Sequence, residues 1–175
     1  MEPLLNLNFT NMKLDKQILI IDDKSQDTIM EALISDLKSS VNLTYKQIRT
    51  SKPEFRAKNS ISVDFEKLKL KINSYYVKYH YFDLILTDFD LSDKDIDGLT
   101  VVEHIKEIRP TAKIAMYSAN FTKAVQRVIN TNKTELSVMQ VAAAVNKLVD
   151  YHLVNYIGRT EYRTWVKTYF LDNKE

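Results

Sequence analysis

The run QILIIDD, residues 17–23, decides how this chain folds. Ile18, Leu19, Ile20 and Ile21 are continuous and apolar, mostly β-branched, and they stop abruptly at Asp22-Asp23. A run of that kind suits a short strand buried on both faces, as in a parallel sheet. A second run has the same build: Leu84-Ile85-Leu86-Thr87 ends at Asp88. An open parallel sheet gathers the carboxyl ends of its strands on one edge, where ligands bind. Three carboxylates far apart in sequence are therefore expected to converge. Clustered carboxylates repel one another unless a cation holds them. For an all-oxygen set the natural cation is Mg²⁺, which often accompanies phosphate chemistry.

Outward from these runs, strands alternate with helices. Residues 1–16 read as a loose arm, docking through Leu4, Leu5 and Phe9. Strands are expected at 17–21, 43–48, 83–87, 113–117 and 154–157. Helices are expected at 25–38, 63–79, 98–108, 121–131, 137–151 and 160–171, from apolar residues at helical spacing such as Phe65, Leu68, Ile72 and Tyr76. Asp64 sits near the start of one helix, and Pro110 closes another. Residues 49–60 and 89–97 read as loops. The alternation predicts an α/β fold: a doubly wound five-stranded parallel sheet with helices on both faces and right-handed crossovers.

Composition narrows the function. At 175 residues the chain suits one domain with a sizeable core. Lys and Arg (25) nearly balance Asp and Glu (23), which argues against a nucleic-acid partner. The absence of cysteine excludes disulfides, thiolate metal sites and Cys nucleophiles. With only two glycines, Gly-rich phosphate loops are excluded, and Gly98 and Gly158 each call for a positional reason. No signal peptide and no membrane-spanning apolar stretch is visible, so a cytoplasmic protein is expected.

The fourth strand ends at Ser118-Ala119, on the same sheet edge as the carboxylates. The fifth ends at Gly158-Arg159, so a planar cation can reach that edge. Carboxylates, a hydroxyl and a cation suit phosphoryl transfer onto an aspartate. Each feature also has a structural explanation. Asp22-Asp23 can cap a helix. Asp90, Asp93, Asp95 and Asp97 fit a solvated loop better than a calcium site, because Gly98 and Glu103 fall at the wrong spacing for an EF-hand. Tyr117, Tyr156 and Trp165 suit the core. The three histidines, His80, His104 and His152, show no ligand spacing. The face Val138, Val141, Ala142, Val145 and Leu148 is expected to pack on the sheet rather than form a dimer seam.

In its ordered set of motifs the chain resembles the receiver domain of two-component response regulators, which has the flavodoxin-like fold. The matching pieces are ILIIDDK (18–24), DLILTDFDL (83–91), DGLTVVEHIKEIRP (97–110), KIAMYSAN (113–120) and VNYIGR (154–159). The receiver-like region spans 17–175, with insertions near 49–64 and 132–150. The resemblance implies that Asp88 accepts a phosphoryl group. It implies that Asp22, Asp23 and Asp88, with the Asp90 backbone carbonyl, hold Mg²⁺. Ser118 takes the place of the hydroxyl that senses the phosphoryl group, Tyr156 the aromatic switch position, and Arg159 the cation. The phosphoryl donor would be a histidine kinase or a phosphotransfer protein.

Three features depart from the family pattern. Arg159 stands where the family carries Lys, and Thr160 where it carries Pro. The loop after Asp88 is longer and lacks the family's Pro, with Ser92-Asp93-Lys94-Asp95 in its place. An insertion separates Ser118 from the fifth strand. The chain closes soon after its last helix, so output is expected through an unidentified protein target or a homodimer rather than through an attached DNA-binding domain. A signalling domain is expected, not an enzyme. Two alternatives remain open. One is a pseudo-receiver that binds partners without phosphorylation. The other is a haloacid-dehalogenase-type phosphatase with Asp88 as nucleophile and Asp90 as general acid–base. That family needs a late acidic pair, whereas here the pair comes first.

Overall fold

The two apolar runs form adjacent strands in the middle of one sheet. In the computed structural model, residues 13–58, 60–93, 95–119, 121–130, 135–150, 153–158 and 160–173 are described. Strand β1 is Leu14–Asp22, β2 is Val41–Arg49, β3 is Leu84–Asp88, β4 is Ile114–Ser118 and β5 is Leu153–Gly158. They pair in the order β2-β1-β3-β4-β5, and every pairing is parallel. This is the expected doubly wound, flavodoxin-like sheet. The helices are α1 (Asp27–Leu37), α2 (Phe65–Tyr79), α3 (Gly98–Ile108), α4 (Phe121–Val128), α5 (Val138–Asp150) and α6 (Tyr162–Asp172).

Side-chain alternation sorts the central strands onto two cores. Ile18, Ile20, Leu84 and Leu86 face one way, against Met30, Leu33 and Leu37 of α1 and Val166 and Phe170 of α6. Leu19, Ile21 and Ile85 face the other way, against Leu68 and Ile72 of α2 and Val101, Val102 and Ile105 of α3. Strands buried on both faces need no polar positions, which is why these runs are continuous in sequence. Each fully buried aliphatic side chain contributes about 1.5–3 kcal/mol. A smaller cluster of Phe89, Leu99, Met116 and Ala124 lies under α4.

Several boundaries differ from expectation. β1 begins at Leu14, inside the expected arm, because Leu14 to Lys16 already pair with Val41 to Leu43 of β2. The rest of that arm, residues 1–12, lies outside the described residues. α2 begins after Asp64, whose side chain accepts the Lys67 amide at 3.2 Å as an N-cap. The expected loop at 49–60 is largely ordered. It holds a 3₁₀ turn, Pro53–Phe55, whose Phe55 is buried, and an antiparallel bridge between Arg56 and Val63.

The insertion before β5 also departs from expectation. α4 ends at Val128 rather than at 131, and residues 131–134 lie outside the described set. On α5, Val138 and Met139 are 86% and 83% exposed, Ala142 is exposed, and Ala144 is buried. The face expected to pack on the sheet is thus turned outward at its start. The side chains of Val145 and Leu148 lie outside the described residues. Among the described residues, no helix is long and apolar enough to cross a membrane.

Candidate functional site

Sheet register brings the acids together. Ile21 pairs with Thr87, so the next residues on the two strands, Asp22 and Asp88, leave the sheet side by side. Asp88 pairs in turn with Tyr117, and Ser118 with Gly158. Asp22 and Asp88 are fully buried, Asp23 is 8% exposed and Ser118 is 5% exposed. Each of the three aspartates offers a carboxylate oxygen within 4.8 Å of the other two.

Asp22 is held by a network. Its Oδ1 accepts the Lys24 amide at 2.7 Å, and its Oδ2 accepts Gln26 Nε2 at 2.6 Å and the Tyr117 hydroxyl. Gln26 Oε1 accepts the Tyr162 hydroxyl at 2.5 Å. The rings of Tyr117 and Tyr162 stack, with centroids 4.7 Å apart and planes at 15°. Burial pushes the Tyr117 hydroxyl well above its ordinary value, and the Asp22 charge adds to the effect. Tyr117 therefore stays protonated and donates.

Asp23 is held differently. Its Oδ2 accepts the Ser92 hydroxyl at 2.5 Å, and its backbone carbonyl accepts the Ser51 hydroxyl. Its Oδ1 is buried without a hydrogen-bond partner. An orphaned buried carboxylate oxygen is costly on its own. Beside two further carboxylates it fits a hard divalent cation, for which oxygen ligands are the preferred set.

The loop from Phe89 to Asp97 is built by its own acids. Asp90 donates its amide to Asp88 Oδ1 at 3.2 Å. Ser92 adopts a left-handed backbone, φ 55°, which aims its hydroxyl at Asp23. Burial pushes the Asp93 carboxyl up, but hydrogen bonds from the Val63, Asp95 and Ile96 amides outweigh it and hold the group low. Asp97 caps α3, accepting the Thr100 amide at 2.9 Å. The expected solvated acidic loop is thus partly a set of turn and cap acceptors. Gly98 has its positional reason here: a Cβ at this position would lie 2.8 Å from the Phe89 Cα and closer still to the Asp88 carbonyl. Only glycine lets α3 start against the backbone of β3.

A cavity of about 210 Å³ opens over this edge. Asp23, Asp88, Asp90, Ser118, Ala119 and Lys123 are among its lining residues. Lys123 lies 3.1 Å from Asp90 Oδ2, and Arg127 of the same helix lies 2.8 Å from Asp97 Oδ2. Of the residues singled out in the sequence, Asp22, Asp23, Asp88, Asp90 and Ser118 come together here. Tyr156 pairs with Met116 through the β4–β5 ladder, but its side chain lies outside the described residues, as does Arg159 altogether. Sequence reasoning missed Gln26, Ser92, Tyr117, Lys123 and Tyr162. Lys123 had one visible signal, a basic residue in the helix that follows Ser118.

No family model matches the chain, and no curated protein matches it. Solved structures do match, and most are response regulator receiver domains. One is the signal receiver domain of a protein described as a Luxo repressor from Vibrio parahaemolyticus, with 11% identity and a TM-score of 0.52, covering 92% of this chain and 91% of that one. A second is a fusion carrying the yeast Spc42 trimeric coiled coil, with 18% identity and a TM-score of 0.53, covering 93% of this chain and 78% of that one. A third is a CheY-like response regulator receiver domain protein from Methanospirillum hungatei, with 16% identity and a TM-score of 0.47, covering 91% and 93%. The chain has the fold of the Vibrio parahaemolyticus receiver domain.

Proposed function

We propose that this chain is a phosphoacceptor receiver of a two-component phosphorelay, modified on Asp88. The observation that carries this reading is the convergence of Asp22, Asp23 and Asp88 beneath a cavity that Ser118 also lines. In this reading Asp22, Asp23 and Asp88, with the Asp90 backbone carbonyl, hold Mg²⁺. When bound, Mg²⁺ supplies charge neutralisation for the acid cluster and the phosphoryl oxygens. The orphaned Asp23 Oδ1 supports that assignment. Asp88 supplies the nucleophilic oxygen, and its carboxylate is oriented by the Asp90 amide. Ser118 donates its hydroxyl to a phosphoryl oxygen, Arg159 supplies the cation expected from its place after β5, and Tyr156 takes the switch role. A histidine kinase or a phosphotransfer protein is the donor, and the output is protein–protein contact in the cytoplasm.

The test uses acetyl phosphate and Mg²⁺ followed by intact mass. Wild type gains one phosphoryl adduct, and Asp88→Ala gains none. A wild type that stays unmodified, or an adduct that persists in Asp88→Ala, overturns the reading.

A pseudo-receiver is the second reading. Ser92 favours it, because its hydroxyl already occupies Asp23 Oδ2 from a loop longer than the family pattern. Mg²⁺ titration followed by NMR separates the two. Shifts at Asp22, Asp23 and Asp88 favour the phosphoacceptor, and unchanged spectra favour the pseudo-receiver.

A further inference from the structure

We propose that Lys123 is a phosphoryl-binding cation of this site, delivered by α4 and held on Asp90 until Asp88 is modified. The inference rests on the reading that Asp88 accepts a phosphoryl group. Lys123, Asp88 and Ser118 line one cavity, so the ammonium, the acceptor and the hydroxyl face a shared space. The Lys123 Nζ lies 3.1 Å from Asp90 Oδ2, and both side chains are 52% exposed. An ion pair that open to solvent is worth little and breaks cheaply. The Lys stem is flexible, so the ammonium can leave Asp90 without moving the helix.

The helix itself is anchored. Ala124 and Val125 are fully buried, and Arg127 pairs with the Asp97 cap of α3. Lys123 therefore swings from a fixed base. Lys24 also lines the cavity, but its backbone amide is bonded to Asp22 Oδ1, which places it with the acid pair. Lys123 follows Ser118 in the chain and stands with the hydroxyl instead. A phosphoryl group on Asp88 would then meet the acid pair and its cation on one side, and Ser118 with Lys123 on the other.

Charge supports the same assignment. A divalent cation at most cancels the charges of Asp22 and Asp23. The anionic oxygens of the phosphoryl group still need positive partners beside the buried Asp88. In the transfer, an Asp88 Oδ attacks the phosphorus of an acyl phosphate. The bond from phosphorus to the acyl oxygen breaks, and the departing carboxylate keeps the electron pair. No proton moves. Lys123 turns from Asp90 Oδ2 to a phosphoryl oxygen, which releases one tie between α4 and the loop after β3 while the Arg127–Asp97 pair holds. Modification at Asp88 would thereby be felt by α4.

The experiment compares wild type, Lys123→Gln and Lys123→Arg. Beryllofluoride binding in Mg²⁺ is read by ¹⁹F NMR, and adduct formation from acetyl phosphate by intact mass. Losing one charge-assisted contact is expected to weaken beryllofluoride binding and slow adduct formation by about tenfold in Lys123→Gln. Lys123→Arg is expected to recover most of the loss, and urea midpoints of the three proteins should agree. If wild type forms the adduct and Lys123→Gln matches it, the inference fails while the receiver reading stands. If Lys123→Arg is as defective as Lys123→Gln, the charge is not what matters and the inference also fails. If wild type forms no adduct, the receiver reading fails and takes the inference with it.

Discussion

Asp22 shows how much of the site is set one hydrogen bond at a time. The carboxylate is buried, and Tyr117, Gln26 and the Lys24 amide all donate to it. Removing the Tyr117 hydroxyl leaves the ring packed against Tyr162 but takes a donor from a buried charge. Tyr117→Phe is therefore expected to lower stability by about 1–3 kcal/mol, measured as a shift in the urea midpoint. No change would mean that the hydroxyl contributes nothing. In the sequence, Tyr117 reads as a core aromatic, and by burial it is one. Its hydroxyl carries no local signature, because the partner lies on β1 with β3 between them. Asp22, Asp23 and Asp88 were legible because each ends an apolar run. Ser92 was not, and Lys123 showed only as a basic residue in the helix after Ser118, since a loop serine and a helix lysine look the same whether or not they face a site.

At the scale of elements, α2 and α3 meet around His104. The imidazole lies edge-on to Phe65, with centroids 6.1 Å apart, and its Nε2 is 3.3 Å from Asn73 Oδ1. Burial lowers its affinity for a proton, and Lys69 adds to the effect. The folded protein thus favours neutral His104. As pH falls through the ordinary histidine value near 6.5, the unfolded chain takes up the proton first. The stabilisation is complete above that value and is lost as pH falls toward the lower folded value. Urea midpoints are expected to drop as pH falls below about 6.5, and His104→Gln is expected to flatten that slope. Asp27, Asp36, Asp64 and Asp93 are also held low, but their contributions are lost only at lower pH. An unchanged slope in His104→Gln would remove His104 as the cause. The segment 49–64 teaches the same lesson about elements. Its polar, Pro-containing sequence reads as a loop, yet Phe55 anchors it and Val63 donates its amide to Asp93. Its order comes from the core that takes Phe55 and Val63 and from contact with another loop, which local composition does not encode.

At the scale of the molecule, the β2-β1-β3-β4-β5 order puts β1, β3 and β4 side by side, so their ends share one edge. If that edge holds Mg²⁺ only when folded, binding stabilises the native state by mass action. Stability in Mg²⁺ at about 100 times its Kd should exceed that in chelator by about 2.7 kcal/mol, and Asp23→Asn should lose most of the gain. Thermal or urea unfolding with and without Mg²⁺ checks this, and equal stability in the two conditions would argue against a metal site at Asp23.

The alternation of strands and helices, the continuous burial of the central strands and the acids at their ends can all be read along the chain. Those properties follow from side-chain periods along a single segment: two in a strand, 3.6 in a helix. It took the folded molecule to bring Tyr117 to Asp22, Ser92 and Ser51 to Asp23, and Lys123 to Asp90. It alone also turned the start of α5 outward, against expectation. These outcomes depend on which segments the folded path brings within a few ångströms of each other, and no local pattern of residues records that path.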